Sequence, residues 1–234
     1  MEGYLHPRPN ESVHPKSELT GEHILTRLVT ARRGDRSQET PALGSPMNES
    51  SDALAVPIAV AMRRPTLLGP AMPILTASLI VRRARVEEAG PLAALLGRAY
   101  PAETWDAAGT EHELFGDETI RATLVVAAEE RLLATASLQV HPDAPECAWL
   151  RWVATEQDRR REGLARALVI GVLAIAEQAG CREARLQTET DRLAAIACYL
   201  QLGFEPLVRS DPEREAWEQV IRFLRANDPY RKRM

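Results

Sequence analysis

Between Val153 and Leu168 the chain reads Val-Ala-Thr-Glu-Gln-Asp-Arg-Arg-Arg-Glu-Gly-Leu-Ala-Arg-Ala-Leu. An apolar strand ending gives way to a polar, arginine-rich loop, and a helical pattern opens at Gly163. A strand that feeds a helix in this way leaves the first N–H groups of the helix without carbonyl partners. Those donors, the positive end of the helix dipole and nearby guanidinium groups together attract phosphate oxygens. Gly163 lets an oxygen approach the backbone closely, and small Ala165 keeps the next exposed position clear. The segment therefore demands a fold that sets strand and helix side by side, and it predicts a bound anion, most simply a phosphorylated cofactor.

The arginine run is a local feature. Residues 1–75 carry 8 basic and 8 acidic groups, so the net charge of -4 resides wholly in the remainder. A mildly acidic domain with a single basic run does not suit a nucleic-acid partner. The three cysteines, Cys147, Cys181 and Cys198, are widely spaced, and no Cys/His spacing suggests a metal site. They fit a reduced, cytoplasmic protein. The N-terminus lacks the basic and then apolar pattern of a signal peptide. The apolar stretch from Pro65 to Val81 is interrupted by Gly69, Pro70 and Pro73, which argues against a membrane-spanning helix.

Residues 1–75 hold 9 of the 16 prolines and, beyond Tyr4, no aromatic residue. Such a segment can bury little and is expected to be a disordered, low-complexity tail. Within it, Glu22 to Arg33 puts Ile24, Leu25, Leu28 and Val29 on one helical face. The change of composition near position 75 also fits translation from Met62 or Met72.

Residues 76–228 read as one mixed α/β domain. Strands are expected at 79–84, 122–128, 132–140, 147–155, 184–188 and 204–208, with a hairpin around Glu129 to Arg131. Helices are expected at 86–100, 164–179, 193–202 and 212–226, with a loop and short helix over 105–117. Gly180 and Gly203 stand where helices end.

The motifs now fall into an order. Arg160-Arg161-Glu162-Gly163-Leu164-Ala165 lies between a strand and a helix, and Ala195-Ile196-Ala197-Cys198-Tyr199-Leu200-Gln201-Leu202-Gly203-Phe204 follows on the next helix. Together they resemble the GNAT superfamily of acyl-CoA-dependent N-acyltransferases, whose loop reads Gln/Arg-x-x-Gly-x-Gly/Ala and whose second block reads A-I-x-x-Y-x-x-x-G-F. The resemblance implies a mostly antiparallel mixed sheet flanked by helices, with two central strands that splay apart to admit the pantetheine arm of acetyl-CoA. It implies that Val153, Ala154 and Thr155 line that arm, with a backbone N–H near Val153 facing the thioester carbonyl. Arg160, Arg161, Glu162, Gly163, Leu164, Ala165 and Arg166 would hold the pyrophosphate, and Tyr199 would protonate the departing thiolate.

Two positions depart from the family. A glutamate often stands four residues before the polarising amide, and Trp149 stands there instead. Glu146, Glu189, an acidic residue of the 103–118 loop or a water chain is left to take the proton. The usual Asn before the second helix is Arg192, which can reach a phosphate or a substrate carboxylate. The family usually ends in another strand, and here a helix occupies that region. The expected function is transfer of an acetyl group from acetyl-CoA to a primary amine of a small molecule or peptide. The transfer is direct, since no activated Cys or Ser is evident, and a homodimer is compatible with it. The alternative is a GNAT-like module that binds acyl-CoA without turning it over, which the tryptophan at position 149 favours.

Overall fold

A computed structural model describes residues 57–67, 70, 73, 75–76 and 78–227. The expected tail from 1 to 56, with the short helix at Glu22 to Arg33, lies outside the described residues.

Seven strands form one sheet: β1 (Ala59–Arg64), β2 (Ile80–Arg83), β3 (Ile120–Ala128), β4 (Arg131–Val140), β5 (Cys147–Thr155), β6 (Glu183–Glu189) and β7 (Glu205–Leu207). Their order across the sheet is β2-β3-β4-β5-β6-β1-β7. Every pairing is antiparallel except β5 with β6. β3 and β4 make the expected hairpin, with Glu129 at φ 53 in its turn.

One strand falls where a tail was expected. Residues 59–64 lie within the proline-rich stretch, yet Val60, Ala61, Met62 and Arg64 are buried and the strand sits between β6 and β7. Composition averaged over 75 residues hides a six-residue strand whose partners lie more than a hundred positions downstream. The structured part of the chain thus begins upstream of position 75. A chain starting at Met62 would lack half of this strand, and one starting at Met72 would lack all of it.

Among the described residues five α-helices accompany the sheet: α1 (Ala89–Ala99), α2 (Ala107–Glu111), α3 (Leu164–Gln178), α4 (Leu193–Gln201) and α5 (Asp211–Ala226). One face of the sheet packs α1, with Leu92, Leu95 and Leu96 against Val125, Ala127, Leu132 and Ala154. The other face packs α3, α4 and α5 in the larger core, where Leu164, Leu168, Val172 and Leu173 meet Leu124, Leu133 and Leu138. α3 is apolar almost all round because sheet and neighbours enclose it, and ten of its fifteen residues are buried. Burial of one such leucine stabilises the fold by about 2 kcal/mol. α4 ends as its sequence predicts. The Gly203 N–H donates to Leu200 O and the Phe204 N–H to Tyr199 O, with Gly203 at φ 83, the paired bonds of a Schellman cap. The last helix starts at Ser210, whose hydroxyl accepts from the Glu213 N–H. Among the described residues, no helix is long and apolar enough to cross a membrane.

Candidate active site

β5 and β6 run together only at their start. Cys147 pairs with Glu183, Ala148 with Ala184 and Trp149 with Arg185, and there the pairing stops. β5 continues against β4 up to Thr155 opposite Ala134. β6 turns instead with β1, paired to Glu189 opposite Ala59, and Thr190 then exchanges hydrogen bonds with Ile58. The two central strands therefore part beyond Trp149, and β5 is left with an edge that β6 no longer covers.

On that edge the backbone is irregular. The pairing with β4 slips between Thr135 and Ser137, opposite the turn from Arg151 to Ala154. Trp152 lies at φ 52, an uncommon conformation for a bulky residue. The slip shifts the alternation: Trp152 and Ala154 both join the apolar cluster under α1, while Val153 packs towards α3. The surroundings enforce it. Trp152 meets the rings of Tyr100 and Trp105 edge-on at 5.7 and 4.8 Å. The Tyr100 hydroxyl donates to the carbonyl of Val153 at 2.8 Å. Burial pushes that phenol's pKa upward, so it stays a donor.

The arginine-rich loop follows directly. The Glu156 N–H donates to Leu133 O, and the buried Glu156 carboxylate accepts from Arg98 at the end of α1, which ties the loop to both layers. Arg161 and Gly163 sit at φ 69 and 79, and the first bond of α3 runs from the Ala167 N–H to Gly163 O. The N–H groups of Leu164, Ala165 and Arg166 thus project from the helix end. A Cβ built on Gly163 would meet nothing within 4 Å, so the space above it is open. An anion fits here on both counts, donors and room.

The expected loop residues divide. Arg160 is exposed, as is Arg161, whereas the side chain of Leu164 lies in the core, leaving only its N–H to face a ligand. Glu162 accepts two bonds of 2.7 Å from Arg159, so the pair cancels its own charge. Arg131 does the same for Asp158 across the hairpin. The half-buried Arg166 reaches toward Cys198, whose thiol it influences. The Thr155 hydroxyl, at the end of β5, is buried without a partner among the described residues.

Tyr199 projects from α4 with its ring 5.8 Å from that of Phe204 and is nearly enclosed. Among the described residues nothing hydrogen-bonds its hydroxyl. Burial holds its pKa far above that of a free phenol, with Tyr100 and Cys198 adding to the rise and Arg192 opposing it. Arg192 lies over the Tyr100 ring at 4.5 Å and donates to Ala99 O and to Glu189, each at 3.3 Å. It therefore stands beside the gap with α1. Of the acidic candidates, Glu189 ends β6 at the gap, whereas Glu146 precedes β5 at its other end, roughly 23 Å from Val153 by strand rise. Trp149 marks the last paired position of the two central strands. All three cysteines have pKa values raised by burial, Cys147 to about 11, so none is an activated nucleophile. Among the described residues no cluster of His, Cys, Asp or Glu could hold a metal.

Tyr100 and Arg151 were not legible as residues of the gap, whereas Trp152, like the other tryptophans, reads as a core or pocket wall. The contacts of Tyr100 with Trp152 and Val153 join positions about fifty apart, which no local spacing encodes.

Residues 91–204 match the acetyltransferase (GNAT) family model. No curated protein matches the chain. Among solved structures, a GCN5-related N-acetyltransferase from Sphaerobacter thermophilus is similar at 19% identity and a TM-score of 0.51, covering 64% of this chain and 48% of its own. The aminoglycoside N-acetyltransferase AAC(6')-Iy, solved in complex with CoA, is similar at 19% identity and a TM-score of 0.50, covering 56% of this chain and 91% of its own. A GNAT-family acetyltransferase from Novosphingobium aromaticivorans aligns at 21% identity and a TM-score of 0.46, over 64% of this chain and 61% of its own. The two likenesses at TM-scores of 0.51 and 0.50 concern the fold alone. The splayed strands and the loop at the head of α3 lie within residues 91–204 or beside them, the stretch that matches the acetyltransferase (GNAT) family.

Proposed function

We propose that the protein transfers an acetyl group from acetyl-CoA directly to a primary amine. The single observation that carries this reading is the parting of β5 and β6 beyond Trp149, immediately followed by an open anion cradle at Gly163. When bound, acetyl-CoA supplies an activated acyl carbon and a thiolate leaving group. The N–H groups of Leu164, Ala165 and Arg166 hold the pyrophosphate, with Arg160 and Arg161 adding positive charge. The uncovered edge of β5, from Val153 to Thr155, offers backbone groups to the pantetheine amides. The N–H near Val153 stabilises negative charge that develops on the acyl oxygen.

Tyr199 keeps its proton because its pKa is raised, so it serves as a hydrogen-bond donor to the departing sulfur and not as a base. The amine reacts as the free base, and Glu189 is the carboxylate at the gap able to take its proton. The proton taken from the amine passes from Glu189 through solvent to the departing thiolate, so the products are an N-acetyl amine and free CoA thiol. The raised thiol pKa values favour direct transfer over an acyl-cysteine.

Acetyl-CoA at about 100 times its dissociation constant is expected to raise unfolding stability by about 2.7 kcal/mol. Tyr199→Phe is expected to keep that stabilisation and to slow thiol release roughly hundredfold with an amine panel. Stabilisation without turnover on any amine favours the alternative, a module that binds acyl-CoA only. No stabilisation overturns both readings.

A further inference from the structure

We infer that the acceptor is an amine carrying a carboxylate, anchored by Arg151 with Arg192 beside it. The inference rests on the acetyltransferase reading above and names the substrate class of that site.

The wall of the gap on the α1 side is made by Tyr100, Trp105 and Trp152, packed edge to face. Two guanidinium groups lie over it. Arg151 sits 4.7 Å from the centre of the Trp152 ring, and Arg192 sits 4.5 Å from that of Tyr100. The Tyr100 and Trp152 rings are themselves in edge contact at 5.7 Å, so the two guanidinium groups stand over neighbouring rings. A stacked guanidinium uses its face for the ring and keeps its N–H edge free for a planar, two-oxygen partner.

The state of Arg151 decides the sign of the ligand. The neighbouring arginines are neutralised: Arg159 by Glu162, Arg131 by Asp158, Arg98 by Glu156, and Arg192 in part by Glu189. Arg151 is half-buried, and among the described residues no carboxylate lies within ion-pair distance of it. A partly desolvated cation without a counter-charge favours an anion brought from outside. The same wall holds the indole N–H groups of Trp105 and Trp152, both buried and without acceptors among the described residues. It is rich in donors and poor in acceptors, which suits a ligand that contributes oxygens. Glu103 opposes the two arginines near Tyr100, and Glu189 stands at the end of β6. An amine end directed to these carboxylates and a carboxylate end directed to Arg151 describe a molecule of the amino-acid class. A polycationic amine would meet two like charges and bind poorly.

The test uses the full chain, acetyl-CoA and matched acceptors: an amino acid, its carboxamide, the amine lacking the carboxyl group, and a phosphorylated amine of similar length. The carboxylate is expected to raise kcat/KM at least tenfold over the carboxamide, mainly through KM. Arg151→Met is expected to bring that ratio close to one, and Arg151→Lys to restore part of it. A wild-type ratio near one overturns the inference, as does a ratio unaltered in Arg151→Met or a preference for the phosphorylated amine. Where no acceptor turns over, calorimetric titration of the CoA complex with the N-acetyl amino acid and its amide reads the same preference, and equal binding overturns the inference. These failures leave intact a stabilisation by acetyl-CoA, whose absence overturns the acetyltransferase reading itself.

Discussion

Gly163 separates a folding requirement from a binding one. It holds φ 79, yet a Cβ there would touch nothing within 4 Å. In the free protein Gly163→Ala should therefore cost only conformational strain, about 1 kcal/mol. The same methyl would occupy the space over the Leu164 and Ala165 N–H groups, so acetyl-CoA affinity should fall by at least a hundredfold. Calorimetry on a variant that unfolds within a few degrees of wild type checks both halves, and an affinity change under threefold would show that phosphate sits elsewhere. Gly203 differs: a Cβ there would lie 3.4 Å from Nε of Arg64, whose Nε–H donates to Leu202 O at 2.6 Å. Residue type and spacing mark Gly163 and Tyr199 as candidates in the sequence. They do not mark Arg151, because its meaning comes from a carboxylate that is missing around it.

Elements were legible where period and punctuation agree. β5 runs from Cys147 to Thr155 as expected, and α3 and α4 each end within one residue of the bound that Gly180 and Gly203 suggest. The junction of β2 with α1 was less so. Its first turn, Val86–Glu88, is a 3₁₀ turn, and Glu88 organises it. The carboxylate accepts from both terminal nitrogens of Arg82 at 2.8 and 2.6 Å, from the Arg85 N–H at 2.8 Å and from the Arg85 guanidinium at 3.2 Å. The Arg82 bonds chiefly hold its pKa at about 2, against an ordinary 4.5. A depressed carboxylate stabilises the fold above its unfolded pKa, and that contribution fades as pH falls from about 4.5 towards 2. Glu88→Gln should then lower stability by on the order of 2–3 kcal/mol at pH 7 and by little at pH 2. Denaturant titrations at the two pH values measure the difference, and equal losses at both would mean the role is packing alone.

At the scale of the whole molecule, the seventh strand comes from upstream. The family resemblance implies a further strand after β7, but α5 follows there, and the slot between β6 and β7 is filled by β1. This topology could not be read from periodicity, because Ala59–Arg64 is six residues bounded by Pro57 and Pro65 and its pairing is wholly non-local. The strand does more than close the sheet. It holds β6 along its length to Glu189, so it keeps β6 turned away from β5 and the gap open. Through Arg64 it also fixes the end of α4, five residues or fewer from Tyr199. Removing it exposes β6 and β7 edges and deletes the buried Val60 and Met62, a loss of about 3–6 kcal/mol from those two side chains alone. That is comparable with the whole stability of an ordinary domain. A chain begun at residue 57 should therefore melt cooperatively near the full chain and keep acetyl-CoA binding. Chains begun at residue 62 or 72 should show early proteolysis, no sharp melting transition and no stabilisation by acetyl-CoA. Met62→Asp in the full chain should reproduce that loss, since it buries an unpaired carboxylate at the centre of β1. Should the chain begun at residue 72 melt and bind acetyl-CoA like the full chain, β1 would be dispensable, and the gap would have to be held open by β6 and α4 alone.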